Sequence, residues 1–313
     1  MFWIRGMIDY DNLLKKIPKV RKILDDGSEE IIYHYTKPKK LLSLLESGTL
    51  RFSNALYLND KDEVTYSYKL IVELIDERSD LNPVLFDRIR EHFFGKYTNI
   101  INGDDNFNYK YEYYTVSFST ESDNLTLWNN YAKGQSYTGY NVGFCKNELI
   151  ADMEKKGFSS VYGNIIYDRK VQVTILNLIF NKWNKEFEKA LKSKKVQKKS
   201  ESEVLLKILF ELIDILGVIS LFFKNPHFKD EKEYRIIFIN SFGNENSKQT
   251  KICEKNGLFI PYIEYKFLKK TVNSINIGPT LDENIFYTST CRMLSNFGYG
   301  NKAINRSKIP LRY

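Results

Sequence analysis

Apolar positions along this chain change period repeatedly, and each change marks an element. Over 7–25, Ile8, Leu13, Leu14, Ile17, Val20, Ile23 and Leu24 recur at helical spacing among basic residues. Asp9 or Asp11 can cap that helix, and Asp25-Asp26-Gly27-Ser28 ends it. Ile31-Ile32-Tyr33-His34-Tyr35-Thr36 predicts a strand. Pro38 with Leu41, Leu42, Leu44 and Leu45 predicts a helix, closed by Gly48 before a second strand over 50–53. A polar turn over 58–63 opens a helix running to about Asp76, a further helix fits 82–95, and 100–110 reads as a loop. Next come a strand over 112–119, a short helix over 124–132, a strand over 138–144, a helix over 147–155 and a strand over 158–167. A long helical block fills 170–222, with a basic, polar middle at 192–200 that reads as a solvated hinge. Strands over 233–240, 257–261 and 273–278 precede a last helix near 281–294. The strands are too scattered for regular βαβ succession, so the expected class is α+β.

Composition narrows the partners. A chain of 313 residues that is 42% hydrophobic and 15% aromatic can bury a sizeable core, in one large domain or two small ones. Its net charge of +8 admits phosphate-bearing partners, although a modest lysine excess is more often a solvated surface. Cys145, Cys253 and Cys291 are odd in number and form no CxxC pair, which argues against a zinc ribbon and for a reduced, cytoplasmic compartment. The N-terminus lacks an apolar run of signal-peptide length, and Lys207, Glu211 and Asp214 interrupt the apolar stretch 205–223, so no membrane partner is expected. There is no Walker A sequence, no GxGxxG after a strand, no GxSxG and no HExxH. The histidines are His34, His92 and His227, and no metal site is expected from them.

Three segments can carry chemistry. The first is Tyr33-His34-Tyr35-Thr36, with Ser53-Asn54 on the next strand. A half-buried strand histidine with one backbone hydrogen bond explains His34 as well as a ligand does. In the second, alternation places Ser117 and Ser119 opposite Val116 and Phe118, and Trp128 and Tyr131 lie three apart on a helix. The serines suit a ligand floor and the aromatics a shelf for a flat ring, with core packing as the alternative. In the third, Glu231, Glu233 and Arg235 share one face at the start of a strand. They form either a salt-bridged surface or a carboxylate held by Arg235, able to accept a ribose hydroxyl and stabilise positive charge at an anomeric carbon.

The ordered set of short motifs resembles a bacterial family, the domain of unknown function 2971. It comprises Tyr33-His34-Tyr35-Thr36, Leu58-Asn59-Asp60 with Glu63, Ser117-Phe118-Ser119, Leu127-Trp128 with Tyr131-Ala132 and Gly143-Phe144. It continues with Phe228 and Glu231-Lys232-Glu233-Tyr234-Arg235, and ends at Ile277-Gly278-Pro279, spanning roughly 31–280. That family is in turn similar to the ADP-ribosyltransferases, whose site joins a strand histidine, an aromatic or serine on a second strand and a glutamate on a third. The resemblance implies an α+β fold with an ADP-ribosyltransferase-like split-sheet core and peripheral helices. It implies an N-terminal helical segment over 1–30 and a single domain over 31–313 with a long helical insertion at about 170–222.

The same resemblance implies NAD as substrate, without a metal, in a toxin or anti-phage effector that transfers ADP-ribose or hydrolyses NAD. The acceptor is left open, protein and nucleic acid included. Glu233, His34 and Tyr131 take the catalytic roles, with His34 on a ribose hydroxyl and Glu233 on the nicotinamide ribose. Tyr35, Thr36, Ser53, Ser117, Ser119, Trp128 and Arg235 bind the dinucleotide or orient Glu233, and the middle position is open among Ser117, Ser119 and Tyr131. Tyr35 stands where the family has a glycine that lets backbone reach nicotinamide. Two other readings compete: a nucleotide- or nucleic-acid-binding module without turnover, and a metal-dependent nuclease using Asp60, Glu63, Glu231 and Glu233.

Overall fold

A computed structural model describes residues 10–57, 62–102, 111–132, 139–158, 160–192, 201–241, 248–255, 257–280 and 282–310. Helices α1 (Tyr10–Lys15) and α2 (Pro18–Leu24) come first, then strand β1 (Ile31–Thr36), helix α3 (Pro38–Ser47) and strand β2 (Thr49–Asn54). Helices α4 (Asp62–Asp76) and α5 (Pro83–Asn102) precede strand β3 (Tyr111–Ser119). A short α6 (Leu125–Leu127) runs into a π-helical turn over Trp128–Ala132. Next are β4 (Tyr140–Cys145), α7 (Lys146–Lys155), β5 (Ser160–Asn164), α8 (Arg169–Lys192) and α9 (Glu201–Ser220). A 3₁₀ turn over Pro226–Glu231 leads into β6 (Glu233–Ser241), followed by β7 (Lys251–Lys255), β8 (Leu258–Lys266), β9 (Val272–Ile277), α10 (Glu283–Asn296) and β10 (Ala303–Arg306).

The single helix expected over 7–25 is two helices within its described part. Pro18 lacks an N–H and keeps the residue before it out of helical backbone, and Ile17 accordingly takes φ −130°, ψ 63°. Gly48 closes α3 at φ +65°, donating its N–H to the Leu44 carbonyl at 2.9 Å, and this turn reverses the chain into β2.

The chain divides into two compact units. One is helical and gathers three separated stretches, Met1–Asp26, Leu56–Lys110 and Ile165–Phe228. The N-terminal helices and the 170–222 block therefore fall in one unit together with α4 and α5. Val20, Leu24, Ile71, Ile89, Phe93, Ile175, Trp183 and Leu212 are buried in it. Lys16 meets Glu211 at 2.6 Å, and the Ser67 hydroxyl donates to the Ser220 carbonyl at 2.8 Å.

The other unit carries a ten-stranded sheet ordered β10-β9-β4-β1-β3-β2-β8-β7, with β6 on the far edge of β3 and β5 beyond it. β3 pairs with β6 along its whole length, from Tyr111↔Ser241 to Ser119↔Glu233. Its opposite edge is shared: β2 pairs at Thr115 and Tyr114, β1 only at Ser119. The sheet therefore forks around Ser117. One face packs under α3, α7 and α10, burying Ile32, Phe52, Tyr114, Val116, Phe118, Val142, Phe144, Tyr234, Ile236 and Phe238 with Leu41, Leu45, Leu149, Met153 and Leu294. The α+β class is as expected. β7 and β10 were not anticipated, and β8 runs well past the predicted 257–261.

Phe144 is fully buried, with Phe118 and Phe267 edge-on to its ring at 5.9 and 5.2 Å. Phe144→Ala is expected to cost about 3–5 kcal/mol, read as a shift of the denaturant midpoint at unchanged slope.

Candidate functional site

At the fork, β3 has left β2 and not yet met β1, so its backbone there needs another partner. His34 supplies one. Its Nδ1–H donates to the Ser117 carbonyl at 3.0 Å, because a carbonyl only accepts, and its ring lies edge-on to Phe118 at 5.7 Å. Burial holds the His34 pKa below the ordinary histidine value; the bond to Ser117 opposes that shift and Lys40 adds to it.

Register then decides which side chains meet. Directly paired residues on neighbouring strands share a face. Tyr33 pairs Ser119, Ser119 pairs Glu233, and Ser117 pairs Arg235, so these five lie on one face with Tyr35. His34 pairs Val142, a core residue, and lies on the other face with Thr36, which is buried opposite Tyr140. The expected convergence of the His34 and Glu233 side chains is therefore not what the sheet builds. Ser117 links them instead, through its carbonyl to His34 and its hydroxyl to Glu233.

Glu233 is the most constrained of the expected residues. Its Oε1 accepts the Ser117 hydroxyl at 2.6 Å, the Arg235 Nε–H at 2.7 Å and an Arg235 terminal nitrogen at 2.7 Å. The Glu233 and Arg235 side chains are only 6% and 2% exposed, whereas Ser117 is exposed. An ionised carboxylate buried to that degree needs such donors. Arg235 thus holds one carboxylate oxygen of Glu233 through two of its nitrogens.

The remaining candidates divide. Ser119 is buried, and its hydroxyl donates to the Glu231 carbonyl at 2.9 Å and accepts the Glu121 N–H at 3.1 Å, so it ties the approach to β6 to the end of β3. Ser53 pairs Thr115 on the Ser117 face. Tyr35 donates its hydroxyl to the Glu121 carbonyl at 2.8 Å and accepts the Asn124 N–H at 3.1 Å, and burial raises its pKa. Trp128 and Tyr131 form no common shelf. Residues three apart share a face on an α-helix but not on the wider π turn observed here. Trp128 is buried edge-on to Tyr35 at 4.6 Å, while Tyr131 is 37% exposed and donates to Glu231 Oε1 at 2.8 Å. Between the two acids, Lys232 takes φ +46°, rare for a residue with a side chain, and the Thr120 N–H bonds its carbonyl at 3.0 Å. Asp60 and the Leu58-Asn59-Asp60 motif lie outside the described residues.

Sequence reading missed several participants. Asp123 accepts the Trp128 indole N–H at 2.7 Å, the Ser307 hydroxyl at 2.6 Å and the Lys308 N–H at 2.8 Å. Asn305, Asn276 and Asn141 form a hydrogen-bonded row across β10, β9 and β4 that ends on the Ser122 carbonyl. Isolated asparagines carry no period, so only the register could reveal this row. Gly278 has a reason of its own: a Cβ there would lie 2.9 Å from the Trp128 ring and 3.0 Å from the Gly139 carbonyl oxygen. A cavity of about 240 Å³ opens beside it, lined by Gly278, Pro279, Glu283, Arg306, Ser307 and Ile309 among others. Neither Ser117 nor Glu233 lines that cavity, so it is not the carboxylate's own site.

His34 and His92 are both held neutral by burial, His92 with a pKa lowered to about 4. The unfolded chain protonates both near their ordinary value of about 6.5, so stability falls as pH drops below that value. Each adds to that slope, by at most about 1.4 kcal/mol per pH unit. In His34→Gln, denaturant titrations between about pH 6 and about pH 5 are expected to show a shallower loss of stability than in the parent. An unaltered slope rules the shift out.

The family model described as a protein of unknown function (DUF2971) matches residues 127–236. No curated protein and no solved structure matches the chain. The matched stretch contains Trp128, Tyr131, Glu231, Glu233 and Arg235, and leaves out His34 and Ser117. Residues 127–236 thus carry the sequence pattern of the DUF2971 family, running from the π turn to the strand that begins with the buried glutamate.

Proposed function

We propose that this protein is an NAD-consuming enzyme of ADP-ribosyltransferase type, with Glu233 as its central catalytic group. The supporting observation is a carboxylate at the start of a strand, buried, ion-paired with Arg235 and pinned by the Ser117 hydroxyl. Such a group can accept a hydrogen bond from the nicotinamide ribose. It can also stabilise the positive charge that develops at the anomeric carbon as the bond to nicotinamide breaks. Preorganisation matters most here, because a carboxylate already fixed by two hydrogen bonds and an ion pair need not reorganise when charge appears. Tyr131, exposed beside Glu231, is the aromatic that a flat ring can reach, whereas Trp128 is enclosed. His34 and Thr36 act from the opposite face as positioning residues, His34 by fixing the β3 backbone at Ser117. Tyr35 lies on the Glu233 face and holds the 121–124 segment over it.

The test is nicotinamide release from NAD by purified protein. Glu233→Gln is expected to reduce it by about 10²–10³-fold. That substitution removes the Glu233 charge from beside a buried guanidinium, at a cost of about 3–5 kcal/mol. The pair Glu233→Gln/Arg235→Met removes both charges, and should recover stability while remaining inactive. A stable double variant with parental turnover sinks the assignment.

Ser117→Ala leaves the ion pair whole and removes one hydrogen bond to a charged group. Turnover is expected to fall about 10- to 100-fold, corresponding to about 1.5–3 kcal/mol, while the fold, with its buried ion pair whole, is retained. A parental rate would exclude Ser117 from the middle position.

A further inference from the structure

Away from the Glu233 cluster, the sheet ends in a surface for which the enzymatic reading has no use. The β7–β8 hairpin leaves Ile252, Leu258 and Phe259 exposed at 67%, 58% and 72%. Isolated exposed apolar residues are ordinary, but three on one short hairpin, two of them at its tip, are not. Ile252 pairs Pro261 and Glu254 pairs Phe259, so Ile252 and Phe259 sit diagonally on one face, and Leu258 caps the other beside Lys255. Gly257 turns the tip at φ +81°.

Lysines surround this tip. α3 returns antiparallel to β2, so its first turn, with exposed Lys37, Lys39 and Lys40, lies at the Asn54 end of β2. β8 runs antiparallel to β2, with Ser53 opposite Tyr262, so Leu258 begins β8 at that same end. Burial first, then the Lys40 and Lys37 ammoniums, lower the Lys255 pKa, which places the three charges within electrostatic reach of one another. A helix whose first turn holds lysines and no acid opposes its own dipole, so these charges serve something other than the helix. The acids on the hairpin are committed locally: Glu254 accepts the Gly257 N–H at 2.6 Å, and Lys251 holds Glu264 at 2.7 Å.

We propose that this hairpin docks the protein on an anionic lipid surface, with Ile252, Leu258 and Phe259 entering the headgroup region and Lys37, Lys40 and Lys255 meeting lipid phosphates. Apolar side chains ringed by lysine suit the boundary between headgroups and acyl chains, where each basic residue adds to the attraction. This contact lies on the bilayer rather than across it, and differs from the absence of any membrane partner expected above. A second copy of the chain fits less well: self-pairing of β7 about Cys253 sets Lys251 against Lys255. Single-stranded nucleic acid fits less well too, because Ile252 and Leu258 offer no ring on which a base can stack.

The experiment is co-sedimentation of the full chain with phosphatidylcholine vesicles, with and without about 30% phosphatidylserine. Binding is expected to the anionic vesicles only. It should drop about tenfold or more in Leu258→Ser/Phe259→Ser and in Lys37→Glu/Lys40→Glu. Leu258→Ser/Phe259→Ser changes exposed positions outside the Glu233 cluster, so its nicotinamide release in solution should match the parent, which separates this proposal from the enzymatic one. Three results overturn it: no sedimentation of the parent with anionic vesicles, variants that bind as the parent does, or loss in the same variants of self-association or oligonucleotide binding in place of lipid binding.

Discussion

At Ser117, β3 is between neighbours, and a histidine side chain fills the gap that a strand would otherwise occupy. That single hydrogen bond lets the sheet divide without leaving a backbone acceptor unmet. The division is what brings a serine hydroxyl out into the open beside a buried glutamate. If β1 or β2 continued along β3, Ser117 would lie in an ordinary pleat. The Glu233–Arg235 pair depends on the same place, because Ser117 and Arg235 are directly opposed across β3 and β6. A buried ion pair seldom adds much net stability. What distinguishes this pair is its place, at the point where the sheet divides.

Elements with one buried face were legible from the chain. β1 shows one core-facing side, with Ile32 buried between less buried neighbours, and α3 is bounded by Pro38 and Gly48; β6 is buried on both faces and reads as a continuous apolar run over Ile236–Ile239. β7 and β10 were not legible for the complementary reason. They are edge strands with most positions exposed, so no period is imposed on them. Alternation also separates His34 from Tyr35 in principle. Which of the two shares a face with Glu233 depends on the pairings of Tyr33 with Ser119 and of Ser119 with Glu233, across segments distant in sequence. Local pattern cannot carry that information. The same holds for Asp123, whose partners include Ser307 and Lys308 near the other end of the chain.

The helical stretches teach a related lesson. Three pieces separated by long intervals form one unit, although the sequence set apart only the N-terminal segment and the 170–222 insertion. The apolar stripe of α8, with Ile175, Ile179 and Trp183 buried, is explained only once its partners from α4, α5 and α9 are known.

Lys232 keeps a left-handed backbone between two acids that an extended strand would point the same way. Glu231 is thereby turned toward Tyr131 while Glu233 faces Ser117 and Arg235. Relaxing that one joint would swing Glu231 onto the face of its neighbour and crowd two like charges around a single guanidinium. The separate aim of two buried acids thus turns on a backbone joint, held at a residue that no inventory of polar side chains would single out.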